Sequence, residues 1–160
     1  MEKTYRIPIV PDVGRQIRIL RYRIRLPFFL QNKDSQFCRL PCILDTGADF
    51  TYIPRHLADP QKIVYTKSNK VTVRSVLGES KKKIFASPIT FSLEADPDED
   101  LRIPTTAYFS SYKYEYVLLA FSDLHEFFHI RTESDSLSPV EALVLEKRLH
   151  RLSEPPIDDA

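Results

Sequence analysis

Glycine is scarce in this chain of 160 residues, occurring only at Gly14, Gly47 and Gly78. Each one is therefore informative, because glycine tolerates positive φ and close backbone approach. Cysteine is rarer still, with only Cys38 and Cys42. On one strand, residues so spaced lie roughly 13 Å apart at about 3.3 Å per residue, too far to bond. Two thiols are also too few for a structural zinc site. They read as small buried or half-buried thiols in a reducing compartment. No apolar run approaches the roughly 20 residues that span a bilayer. The opening MEKTYRIPIVPDV lacks the longer apolar core of a secretory signal. The expected location is the cytoplasm, with no membrane partner. A formal net charge of +1 gives no bulk attraction to nucleic acid, so no nucleic-acid partner is expected.

The residues present describe a folded chain. Hydrophobic content of 42% against 28% charged fits a globular protein with its own core and excludes disorder. Most of it reads as strands. IRILRYRIRLPFFL (17–30) alternates apolar and polar residues, with a change of phase near Ile19 and Leu20 that a bulge would explain. FCRLPCIL (37–44) is mostly apolar. KIVYT (62–66), NKVTVRSVL (69–77) and KKKIFASPITFSLEA (81–95) are rich in β-branched and aromatic residues. Leu77-Gly78-Glu79-Ser80 between the last two reads as a hairpin tip. Tyr116-Val117-Leu118-Leu119 is a short buried strand. Arg15, Arg18, Arg21, Arg23 and Arg25 make a basic strand, and EADPDED (94–100) an acidic loop; both read as solvated faces. Near the end the pattern changes. Ser138-Pro139-Val140-Glu141 is a capping box with proline at the first helical position. Leu143, Leu145, Leu149 and Leu152 follow, and a helix is expected over about 139–152. The expected organisation is one domain over residues 1–152 and a flexible tail over 153–160.

Two short motifs compete for the chemistry. HEFFH (125–129) matches the zinc-protease pattern His-Glu-x-x-His. That chemistry needs His125 and His129 one turn apart on a helix, with Glu126 as general base. A third protein ligand is needed, and Glu133, Glu141 and Glu146 lie in no recognisable motif. Met1 is the only methionine, which excludes a metzincin Met-turn. Leu124, Phe127 and Phe128 also explain the segment as packing. The favoured reading assigns no metal and no cofactor.

The other motif is ILDTGADFTYIP (43–54). An apolar strand runs into Asp45, Thr46, Gly47 and Ala48, and an apolar strand resumes at Tyr52 and Ile53. A carboxylate at the end of a buried strand serves as general acid or base if a second carboxylate shares its proton. Gly47 permits a tight turn and an N–H donated to that carboxylate. Ala48 leaves room for substrate. Taken alone, Asp, Thr and Gly are also ordinary turn residues.

The segment resembles the active-site loop of the retropepsin-like aspartic proteases, retroviral enzymes and their single-domain cellular relatives. The resemblance spans roughly residues 15–130. It includes strands over 17–44, the Asp45-Thr46-Gly47-Ala48 loop, a hairpin around Leu77-Gly78, the strand Val117-Leu118-Leu119, and Ala120-Phe121-Ser122-Asp123-Leu124 leading into a helix. HEFFH then falls at that helix's tail. Ala120 stands where the family usually has glycine. Phe121 stands where it often has an arginine paired with the residue here numbered Asp49.

The resemblance implies a mainly β fold: a closed acid-protease barrel with a flap hairpin, one short helix after the second active-site strand, and here a C-terminal helix. It implies an aspartic endopeptidase. One chain supplies one Asp-Thr-Gly, so it also implies a homodimer with Asp45 from each subunit. The paired carboxylates hold one proton and activate a water. Thr46 locks the two loops together, and Leu118 and Leu119 support the site from below. Val76, Leu77, Gly78 and Glu79 form a flap over a polypeptide substrate with hydrophobic residues flanking the bond. Two alternatives stand beside this: a binding or scaffolding module that keeps the protease fold with weak catalysis, and a zinc metalloprotease through His125, Glu126 and His129.

Overall fold

The structure, a computed structural model, describes residues 3–13, 20–67, 69–72, 74–75, 78–79, 83–135 and 138–152. They form fifteen strands and two short α-helices. In chain order the strands are β1 (Thr4–Pro8), β2 (Val10–Val13), β3 (Leu20–Arg23), β4 (Phe28–Gln31), β5 (Phe37–Leu40), β6 (Cys42–Asp45), β7 (Thr51–Pro54), β8 (Lys70–Val71), β9 (Arg74–Ser75), β10 (Gly78–Glu79), β11 (Ile84–Ser92), β12 (Ile103–Ser110), β13 (Val117–Ala120), β14 (Phe128–Asp135) and β15 (Ser138–Lys147). Helix α1 (Arg55–Ala58) follows β7, and α2 (Phe121–His125) follows β13. The chain divides into two compact units, Leu26–Phe121 and Met1–Arg25 with Ser122–Ala160.

The larger unit is one sheet in the order β5-β4-β11-β12-β7-β13-β6, with β8 paired to β11. It curls into a half-barrel. Its concave packing explains the sequence. In β11 and β12 buried and exposed positions largely alternate, as a sheet with one buried face requires. Phe28, Phe91 and Phe109 are fully buried, and Phe28 stacks on Phe91 at 5.1 Å between centroids. Such a ring pair adds about 0.5–1.5 kcal/mol beyond area burial. Among the described residues no buried side-chain polar atom lacks a partner.

One feature of this sheet positions the site. Strand β13 lies between β6 and β7, parallel to β6 and antiparallel to β7. The parallel register sets Leu118 opposite Ile43, Leu119 opposite Leu44, and Ala120 opposite Asp45. Two strands distant in sequence thus end together, and Asp45 sits at that shared end.

The smaller unit holds the three-stranded sheet β1-β15-β14 and the hairpin β2-β3. The helix expected over 139–152 is not formed: Ser138–Lys147 is the central strand β15, paired with β1 on one side and β14 on the other. The reason is burial. Ala142, Leu143, Val144 and Leu145 are all buried, and four consecutive apolar residues covered on both faces suit a central strand, not a one-sided helix. The capping box is a local preference overridden by two ladders of backbone hydrogen bonds. Arg6 and Arg131 both pair with Glu133, and Arg131 pairs with Glu146 at 3.0 Å. The hydrogen bond from Arg131, then the one from Arg6, holds the Glu133 carboxyl below its ordinary range.

The strand expected over 62–66 is irregular chain. The long strand expected over 17–30 is broken into β3 and β4, and residues 14–19, with the proposed bulge, lie outside the described residues.

Candidate active site at the Asp45 loop

Asp45 is the last residue of β6, and its side chain is half-buried. The chain then turns. Ala48 N donates to Asp45 O at 3.4 Å, and Gly47 N donates to Asp45 Oδ1 at 3.0 Å. The backbone N–H anticipated from the sequence is therefore aimed at the carboxylate. Thr46 is exposed. Beneath the loop, Leu119 and Ala120 are fully buried and Leu118 half-buried.

Thr51, which the sequence reading left without a role, holds this floor in place. It is fully buried, and its Oγ1 accepts a hydrogen bond from Ala120 N at 3.1 Å. The bond ties β7 to the residue opposite Asp45. Its signal in the sequence was a threonine opening an apolar strand, six residues after the aspartate. Cys42 lies in the same strand as Asp45. Burial pushes its thiol far above the ordinary range, so it remains a protonated packing residue. Both cysteines are free.

The loop opens onto a cleft of about 540 Å³, within the size range of ligand sites. Asp45, Gly47, Ala48, Asp49 and Leu118 line it, five of the residues nominated from the sequence. Its remaining walls were not anticipated: Phe50, Tyr52 and Tyr108, with Val71 and Thr72. Phe50 stacks on Tyr108 at 4.3 Å, and Tyr52 meets Tyr108 edge-on at 5.9 Å. Partial burial, then the neighbouring Tyr108, Asp49 and Tyr114, push the Tyr52 phenol up. It therefore stays protonated at neutral pH.

The proposed flap is described in part. Strands β9 and β10 pair Ser75 with Gly78 and Arg74 with Glu79. The pairing is antiparallel. Val76 and Leu77 lie outside the described residues.

A retropepsin-like aspartic protease from Rickettsia conorii matches over 92% of this chain and 93% of its own, with a TM-score of 0.54 and 15% identity. EIAV protease complexed with the inhibitor HBY-793 matches over 71% of this chain and 92% of its own, with a TM-score of 0.48 and 18% identity. The fold is retropepsin-like. Neither a protein-family model nor a curated protein matches the sequence. On this retropepsin-like fold the short helix after the second strand of the site is α2, as expected.

The zinc alternative meets a different geometry. His125 is the last residue of α2, while His129 lies on β14. The two are not one turn apart on a helix, as the His-Glu-x-x-His chemistry requires. The Arg148 guanidinium reaches both rings, at 2.9 Å from His129 Nδ1 and 3.5 Å from His125 Nε2. Arg148 Nε also donates to His125 O at 2.9 Å, and Arg148 N to Phe127 O at 2.8 Å. HEFFH is thus a helix-to-strand turn closed by Arg148, with Phe127 and Phe128 buried.

Proposed function

We propose that the chain is an aspartic endopeptidase acting as a homodimer on polypeptide substrates. The observation that carries the reading is Asp45: a half-buried carboxylate held by the Gly47 N–H, above a buried floor, on the wall of an open cleft. The retropepsin-like fold supports it.

One chain brings one such loop, and the chemistry needs two carboxylates. Asp45 of each protomer, related by a two-fold axis, supplies the pair. Like charges at close range oppose double ionisation, so the pair holds one proton. The ionised carboxylate takes a proton from water as the water oxygen bonds to the scissile carbonyl carbon. The protonated carboxylate gives its proton to the carbonyl oxygen. Collapse of the tetrahedral intermediate returns that proton through the pair to the amide nitrogen, and the C–N bond breaks. Each step uses carboxylates and water alone. Thr46 from each loop locks the pair, and the hairpin through Gly78 and Glu79, including Val76 and Leu77, closes over the peptide. The free thiols fit the reducing cytoplasm as its location.

The test is cleavage of a diverse peptide mixture across about pH 4 to 7. Wild type is expected to cleave and Asp45→Asn to lose cleavage. Cleavage retained by Asp45→Asn would refute the mechanism. A folded wild-type dimer that cleaves nothing would favour the scaffolding reading.

A further inference from the structure

The walls of the cleft carry a second message, and it concerns what the substrate presents. Several aromatic rings elsewhere in this chain carry one of its own cations. Arg39 lies 5.9 Å from the Phe29 ring, Arg102 lies 5.7 Å from Phe37, and Arg151 lies 4.7 Å from Phe127. Arg55 and Lys67 sit over Tyr65 at 5.9 and 5.7 Å. The rings of the cleft do not. Among the described residues, no cation lies over Phe50, Tyr52 or Tyr108.

The omission coincides with other features. Phe50 is 41% exposed, unusual for so large an apolar side chain here. It is nevertheless fixed, because it stacks against Tyr108 while Tyr52 buttresses Tyr108 edge-on. The open ring belongs to a preorganised tier. Asp49, the adjoining residue, is exposed and lines the same cleft. Among the described residues the cleft lining contains two carboxylates, Asp45 and Asp49, and neither lysine nor arginine. An electron-rich ring face beside a carboxylate, with no internal cation, is the chemistry that captures a basic side chain. Arginine fits it better than lysine, since its planar guanidinium stacks on a ring and pairs with a carboxylate at once.

We infer that Phe50, Tyr108 and Asp49 form a subsite for an arginine side chain of the peptide substrate, close to the bond that Asp45 attacks. This rests on the reading of the cleft as a peptide site and extends it. Beside positions that take apolar residues, one position takes a cation.

The experiment separates this subsite from catalysis. Asp45→Asn protein, which binds without turnover, is titrated with position-scanned octapeptides carrying arginine, citrulline or norleucine at one position. At one scanned position the arginine peptide is expected to bind about tenfold more tightly than its citrulline counterpart, the combined scale of a ring contact and an exposed ion pair. Adding Phe50→Leu, which keeps an apolar side chain without a ring, should lower the ratio several-fold. Adding Asp49→Asn should lower it too, and more at low salt than at high salt. Circular dichroism of each variant establishes that it is folded. Equal binding of arginine and citrulline at every position would overturn the subsite, as would a preference unaffected by both substitutions. Cleavage by the wild type is measured in parallel and tests the endopeptidase reading independently.

Discussion

Gly47 shows how one residue separates the needs of the fold from those of the chemistry. A Cβ added there would meet Asp45 Oδ1 at 3.6 Å, an ordinary contact, and its φ lies outside the left-handed region. Among the described residues nothing resists a methyl group. On the proposed mechanism its lack of a side chain serves what approaches the loop from outside, either substrate or a partner's loop. Gly47→Ala should fold with a melting temperature equal to or slightly above wild type, because alanine restricts the unfolded chain by about 0.4–1 kcal/mol. Peptide cleavage should fall at least about tenfold, since a 1 Å displacement at a reacting centre costs about a hundredfold. Thermal melting and kcat/KM together check this. Full activity would show that the space beside Asp45 is not used. A large loss of stability would place the glycine in the fold instead.

At the scale of elements, Leu145 and Leu149 distinguish strand from helix. On a helix they lie one turn apart on the same face. In the structure Leu145 is fully buried on β15, while Leu149, beyond the strand, is 80% exposed. Leu145→Ala should cost about 2–5 kcal/mol, and Leu149→Ala less than about 0.5 kcal/mol, read from chemical denaturation. Equal losses would restore the helix. The error at this segment has a physical basis. Its capping box lies within four residues, whereas its strand partners Thr4–Pro8 and Phe128–Asp135 carry no local mark of pairing. Strand β12 was unread for the same reason, although it pairs with β11 and β7 and supplies Tyr108 to the cleft. The Asp45 loop was legible because its chemistry is compressed into consecutive residues: Asp45, the Gly47 N–H and the strand before them. Leu118 and Leu119 were legible through their apolar run. Phe50 and Tyr52 followed the motif directly, yet their role depends on Tyr108 from a strand more than fifty residues away. A cleft wall assembled from separate strands has no contiguous signal.

At the scale of the whole molecule, the question is how many chains make one site. Asp45 and Asp49 line the same cleft, so among the described residues that is the pair open to a chain working alone. A dimer would instead use two copies of Asp45, and Asp49 would face substrate. The two arrangements predict different arithmetic. Wild-type and Asp45→Asn chains are produced together in equal amounts, folded together, and assayed at fixed total protein. If both Asp45 residues are required at one two-fold site, only dimers of two wild-type chains cleave, and random pairing leaves about one quarter of full activity. If each chain catalyses alone, about one half remains. Sedimentation of the same samples at the assay concentration establishes whether dimers form, and unequal recovery of two affinity tags would reveal non-random pairing. One quarter with dimers present supports the shared site. One half would move the second carboxylate into the same chain and make Asp49 the residue to substitute next.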